Sequence, residues 1–362
     1  MRVFHVTPDQ FTELDELPQD LPPHGFLWVG SARREFEVHA AEIQARLQAW
    51  TGSTLVDLHV SDLLNNQLPS HFDTTFDYDL LVFRRLAAAP GSAALADGKQ
   101  PTRRATREAL EAIDTSPVGF AVFDRVLVSV HPADCAVRDF FATRLAHRGQ
   151  GGAARLPPSP AELMLRMVNH MVDSYLELRR LLARQLGELQ LELLNPRSHF
   201  DDWALLLDAR NRLHLLEDTC EDQRSTVQEW IDALDEWPPE TDKQAKRERE
   251  LLRLRSRDVL EHIERVLGHV RRLEQSIETA VQMHFSALGH RTNNIMRTLT
   301  VLTAIFLPLN LITGFFGMNF DFLPLIHSAE GFWFAFWTMV VVAIGLVAFF
   351  WRKRYLGTHQ RP

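Results

Sequence analysis

Two stretches near the end of the chain, Thr298 to Gly317 and Gly331 to Trp351, contain no Asp, Glu, Lys or Arg. Each is about 20 residues long, enough at ~1.5 Å per residue to carry a helix across a ~30 Å hydrocarbon layer. Helices buried in a soluble core rarely run so far without a polar break, so these stretches predict two membrane spans. Arg291 and Arg297 precede the first, and Arg352, Lys353 and Arg354 follow the second, whereas the segment between them has no Lys or Arg. Basic flanks stay on the cytoplasmic side, so both termini are expected there. Phe332, Trp333, Phe336 and Trp337 open the second span and Trp351 and Tyr355 close it, as amphipathic rings do at the headgroup level.

The rest of the chain excludes several classes. A net charge of -8, with Lys and Arg spread along the sequence, argues against a nucleic-acid partner. Cys135 and Cys220 stand far apart without a C-x-x-C spacing, so neither a disulfide framework nor a cysteine zinc site is implied. The opening Met1 to Asp9 has no basic and apolar run of the secretory kind, so the N-terminal part is expected in the cytoplasm. The sixteen histidines form no H-x-x-x-H or H-E-x-x-H pair on a helix face and read as ordinary surface and core residues. No Gly-rich phosphate loop, Ser/His/Asp ordering or hydrolase motif is present, and no enzymatic activity is expected.

Residues 1–157 mix strand-like runs, such as Gly25 to Val29, Leu80 to Phe83 and Val126 to Val130, with helical ones such as Glu35 to Trp50. This predicts an α/β domain, with Ala87 to Lys99 as a loop and Arg148 to Gly152 as a breakpoint. Residues 158–242 read as Leu-rich helices ending at the Trp237-Pro238-Pro239-Glu240 break. From 243 to 297 one long stalk helix is expected, with Leu252, Val259, Ile263, Val266, Val270, Leu273, Ile277 and Ala280 in a heptad-like seam. It runs on into the first span, 298–317; a loop, 318–330, the second span, 331–351, and a basic tail, 352–362, complete the order. The fold class is therefore an α+β membrane protein.

The first span carries a stripe of mixed polarity: Met296, Leu299, Thr303, Leu307, Asn310, Gly314 and Gly317 recur at helical spacing. An Asn amide facing lipid would go unpaired, so Asn310 is expected to face another helix or a water-filled cavity. Pro308 is expected to bend the helix. The following loop carries Asp321 and Glu330 and no basic residue, which would gather cations.

Directly after this span stands Phe316-Gly317-Met318-Asn319-Phe320, and its Gly-Met-Asn triplet resembles the signature of the CorA family of Mg²⁺ and Co²⁺ transporters. The resemblance extends to Asn293 through Thr300, Phe306 to Leu309, Arg352 to Leu356, Arg257 to His262, and Ser159-Pro160 through Tyr175. More weakly, Asp57-Leu58-His59 to Arg84-Arg85 and Gly119 to His131 resemble strands of the family's amino-terminal domain.

The resemblance implies a homopentameric funnel in the inner membrane that passes hydrated Mg²⁺, and also Co²⁺ or Ni²⁺, along its five-fold axis. Residue by residue, it implies that Gly317, Met318, Asn319 and Asp321 form the outer mouth, with Asn319 meeting the hydrated ion. It also implies that Asn310, Leu307, Thr303, Leu299 and Met296 line the path, and that Asp258 belongs to a regulatory Mg²⁺ site closing the channel. Three positions depart from the pattern: Leu325 stands for a common loop Glu, Gln282 for an inner acidic residue, and Asn310 for a common Thr or Ser. A Zn²⁺ transporter of the same fold, like the ZntB branch, is the alternative the missing loop Glu leaves open.

Overall fold

The computed structural model describes residues 1–88, 103–133, 136–149, 156–195, 202–237, 242–318 and 329–353. The expected loop at Ala87 to Lys99 lies outside these from residue 89 onward, as do the end of the Arg148 to Gly152 breakpoint, Cys135, most of the 318–330 loop and the tail from Arg354. The described chain divides into two compact units, Met1–Thr279 and Ala280–Pro362.

In the first unit, four central strands buried at nearly every position, flanked by less buried outer ones, build a mixed seven-stranded sheet. Its strands are β1 (Arg2–Val6), β2 (Phe11–Leu14), β3 (Phe26–Ala32), β4 (His71–Thr74), β5 (Tyr78–Arg84), β8 (Pro117–Phe123) and β9 (Val126–His131), in the order β2-β1-β3-β9-β8-β5-β4. A short pair, β6 (Ala87–Ala88) and β7 (Ile113–Asp114), stands apart. β3 and β9 run parallel, pairing Val29 with Val128, and the other neighbours are antiparallel.

Strands buried at both parities need cover on both faces. Helices α1 (Arg33–Thr51) and α2 (Asp57–Leu64) cover one: Phe36, Ile43, Leu47 and Leu63 join Val29, Leu80, Ala121, Val126, Val128 and Val130 in a single core. A Cβ at Gly119 would sit 2.3 Å from the Leu63 side chain, so α2 approaches β8 only because residue 119 has none. Of the stretch from Asp57 to Arg85, which resembles strands of the family's amino-terminal domain, β4 and β5 are strands and the opening is the helix α2. Its buried residues, His59 and Leu63, are four apart, and that spacing decides against a period of two.

The helices α3 (Arg103–Glu111), α4 (Ala136–Gly149), α5 (Pro160–Asp173), α6 (Tyr175–Leu194), α7 (Trp203–Glu236) and α8 (Lys243–Phe316) follow. Three of them, α5, α7 and α8, are capped at their starts by short polar side chains. Ser159 accepts from the Glu162 amide, Asp202 from Leu205, and Asp242 from Gln244 and Ala245. α5 packs on β3, β8 and β9 and supplies the second cover.

The expected long helix is present, unbroken for 74 residues. Within the first unit its seam is buried at Leu252, Val259, Ile263, Val266, Val270 and Ile277, while Leu273 is half-buried. Polar contacts fix its register: Trp230 of α7 donates to Ser256, and the Tyr175 hydroxyl of α6 meets His269 Nδ1 at 2.7 Å. The Glu162 carboxylate of α5 is buried between Arg166 (2.7 Å) and Arg255 of α8.

The second unit contains the remainder of α8 and a last helix, α9 (Ala329–Arg352). Both are long and apolar enough to cross a membrane, and their most apolar windows are left 6% and 0% buried. A core helix of a soluble protein would be covered, so these are faces made for another solvent.

Two measurements check this packing. Glu162→Ala leaves the mostly buried Arg166 without its carboxylate and should destabilise the first unit by about 3 kcal/mol. Arg255→Ala, at a half-exposed position, should cost much less in the same thermal melts. His131 is fully buried, and desolvation, aided by Arg138 and Arg33, holds its imidazole at about 3. The Ser129 hydroxyl, which accepts from Trp28, can donate to His131 Nε2, a bond that suits the neutral ring. Because the folded value lies below the unfolded 6.5, its contribution is complete above pH 6.5 and is lost as pH falls toward 3. Between pH 6 and 5 the wild type should therefore lose up to ~1.4 kcal/mol more than His131→Leu, read from paired melts.

Candidate functional site

A membrane helix that presents one polar stripe needs helical spacing and a backbone that satisfies itself. In the second unit, Met296, Leu299, Thr303, Leu307 and Asn310 lie on α8 at steps of three or four, and Gly317 stands in the turn directly after the helix, seven residues on from Asn310. The five on the helix share one face over about 21 Å at ~1.5 Å per residue, most of the thickness of a hydrocarbon layer. All are exposed on the single chain; Met296, Leu299 and Leu307 are 57%, 57% and 65% accessible.

The chemistry of this face is set by where its protons go. Thr303 donates its hydroxyl to the Leu299 carbonyl at 2.9 Å, as Thr300 does to Met296, so each hydroxyl oxygen keeps its lone pairs for other donors or cations. Pro308 stands inside the helix and has no amide to give Ala304, whose carbonyl sits beside Thr303 in the sequence. The helix continues through it. At the C-terminal end of the helix the Gly317 amide bonds to the Thr313 carbonyl at 2.9 Å and Met318 to Phe315 at 3.4 Å. A Cβ on residue 317 would lie 2.9 Å from that same Thr313 oxygen, so a side chain there would disturb the turn leading to Asn319. Asn319 and Asp321 lie outside the described residues.

Asp258 belongs to the first unit and to the water-facing side of α8; its side chain is 64% exposed. It stands 3.9 Å from His262 Nε2, one turn on, and His262 Nδ1 faces Asp173 of α5 at 3.5 Å. Two carboxylates thus flank one imidazole. Sequence reading singled out Asp258 alone. His262 could have been found by its i, i+4 spacing, whereas Asp173 is 85 residues from Asp258 and only the packing of α5 on α8 brings it near. On the neighbouring α7–α8 face, Asp232, Asp235, Glu261 and Glu264 line an open groove of about 350 Å³ with Arg257.

The single cysteine among the described residues, Cys220, is buried with its thiol pushed up to about 12 by desolvation, so it is neither a ligand nor a nucleophile there.

Comparison with known proteins places these features. The chain is 30% identical over 100 residues to the cobalt/magnesium transport protein CorA of Thermotoga maritima, covering 28% of each chain. It is 32% identical over 101 residues to the magnesium transport protein CorA of Haemophilus influenzae, covering 28% of this chain and 32% of that one. It thus spans less than a third of the length of either curated relative. The fold has a full-length counterpart in the structure of the CorA magnesium transporter from Methanocaldococcus jannaschii. That match has a TM-score of 0.70 at 18% identity and covers 97% of this chain and 98% of that one. Residues 102–354, well over half of the sequence and including both apolar helices, match the family described as CorA-like Mg²⁺ transporter protein, and to that family this chain belongs.

Proposed function

We propose that this chain assembles as a homopentamer in the inner membrane, with both termini in the cytoplasm, and conducts hydrated Mg²⁺, with Co²⁺ and Ni²⁺ as further cargo. The observation that carries the reading is family membership across both apolar helices, together with a polar stripe that a single chain leaves exposed. Two spans cannot enclose a pore, so the stripe needs copies of itself to form one.

Mg²⁺ holds an octahedral water shell tightly and dehydrates reluctantly. A fast path therefore engages the hydrated ion through neutral acceptors, without stripping it by carboxylates. Asn319, repeated around the mouth with Gly317, Met318 and Asp321 beside it, supplies amide oxygens to coordinated water and adds no charge of its own. Asn310 forms a second ring within. The outward lone pairs of Thr303 and the carbonyl freed by Pro308 extend this lining. Met296, Leu299 and Leu307 form apolar constrictions that close the path when they dewet.

Regulation follows from Asp258. A divalent ion bridging Asp258 across neighbouring subunits offsets carboxylate repulsion and holds the funnel shut when cytosolic Mg²⁺ is high. The Asp173 carboxylate, held near by His262, adds negative charge to that place.

The test is flux into liposomes with Mg²⁺, Co²⁺, Ni²⁺ and Zn²⁺ supplied separately, paired with mass measurement in detergent. Flux of Zn²⁺ alone, or a stable monomer or dimer, would overturn the reading. Asn319→Ala should assemble normally and reduce Mg²⁺ flux to near that of protein-free liposomes, and Asn319→Asp should also impair it by holding the ion too tightly. Normal assembly with normal flux in Asn319→Ala would remove the proposed mouth. Asp258→Ala should leave flux intact and weaken its inhibition by internal Mg²⁺, measured by varying Mg²⁺ trapped on the cytoplasmic face.

A further inference from the structure

Helices α7 and α8 are joined within the first unit by a ladder of charged side chains. Arg210 faces Glu278 at 3.9 Å, His214 Nε2 meets Glu274 Oε1 at 3.0 Å, and Arg271 donates to Glu217 at 2.6 Å and to Glu221. The middle rung is not a simple pair. His214 and Glu217, three apart on α7, and Glu274 on α8 each offer one ligand atom, and these atoms lie within 4.8 Å of one another. All three side chains are half-buried.

Burial, with Glu217 facing it, raises the Glu274 carboxyl, while Arg271 lowers that of Glu217. Glu217, Glu221 and Glu274 set three negative charges against the one guanidinium of Arg271, a local excess of two that a divalent ion balances. Arg271 occupies one oxygen of Glu217, and a carboxylate has a second to give.

We propose that His214, Glu217 and Glu274 form a binding site for a late first-row divalent ion, Co²⁺ or Zn²⁺, that is separate from the membrane path and from Asp258. One nitrogen and two carboxylate oxygens suit these ions at bonds of ~2.1 Å, which place donors about 3.4 Å apart in a tetrahedron, so side-chain adjustment alone closes the cluster. The imidazole selects against Mg²⁺, which prefers oxygen and keeps its water. A metal ion competes with protons for ligand atoms of these kinds, so binding strengthens as pH rises.

The experiment is equilibrium binding of Co²⁺ to the purified full-length protein in detergent, with a large excess of Mg²⁺ to fill oxygen-only sites. Bound cobalt per chain and its visible ligand-field absorption are the readouts. The wild type and Asp258→Ala should retain one cobalt per chain that Mg²⁺ does not displace. His214→Ala and the isosteric Glu274→Gln should each weaken that binding at least tenfold. Equal retention by both variants and wild type, or full displacement of cobalt by Mg²⁺ in wild type, would overturn the site and leave an ion-pair ladder. Should His214→Ala misfold, Glu274→Gln decides alone. Ion flux enters none of these readouts, so failure of the transport reading and failure of this site are told apart.

Discussion

A single helix of 74 residues has to satisfy two environments, and the rest of the molecule is arranged around that demand. Up to Thr279 its apolar side chains form a narrow seam covered by neighbouring helices, with charged residues on the outside. Beyond that point its apolar side chains are left uncovered on nearly every side. Backbone hydrogen bonds close within the helix in both settings, so the same element remains stable in water and in hydrocarbon. What changes is only the pattern of side chains written onto it.

Within the first unit, polar contacts set the register that apolar packing leaves loose. A seam of Leu, Val and Ile at heptad spacing tolerates sliding, because one methyl group resembles the next. Ser256 under Trp230, His269 against Tyr175, and Arg255 on buried Glu162 do not slide, since each displaced partner would leave a desolvated polar group. Buried pairs of this kind add little net stability over an apolar replacement, but they penalise every alternative alignment. The Arg and Glu ladder between α7 and α8 repeats the device at the surface, where screening makes each rung weaker.

The neutral and the charged groups divide along the same line. The stripe on the apolar part of α8 offers only neutral acceptors: amide, hydroxyl lone pairs and a carbonyl released by proline. The first unit holds the carboxylates, at Asp258 with Asp173, in the groove of Asp232, Asp235, Glu261 and Glu264, and at Glu217 with Glu274. Neutral groups let a divalent ion leave, whereas carboxylates retain it. Under the proposed function, keeping the two kinds of group on separate segments is an advantage, for a carboxylate ring in the path would turn passage into storage.

Much of this was legible in the residues themselves. Uncharged runs of spanning length, the basic flanks, the heptad seam and the breaks at Pro160 and Trp237 are local signals, and the structure has helices where they stand. The stripe from Met296 to Gly317 is also local, because the positions on one face of a helix follow from spacing alone. The helix at Asp57 was not legible, since a short segment with one β-branched residue carries no decisive period until β8 shows where His59 and Leu63 are buried. The order of the seven strands, the cover of α5 on the sheet, the pairing of Asp258 with Asp173 and the meeting of Glu274 with His214 were decided by tertiary structure. Each joins residues tens of positions apart, and chain spacing carries no information about distance once the chain has turned back on itself.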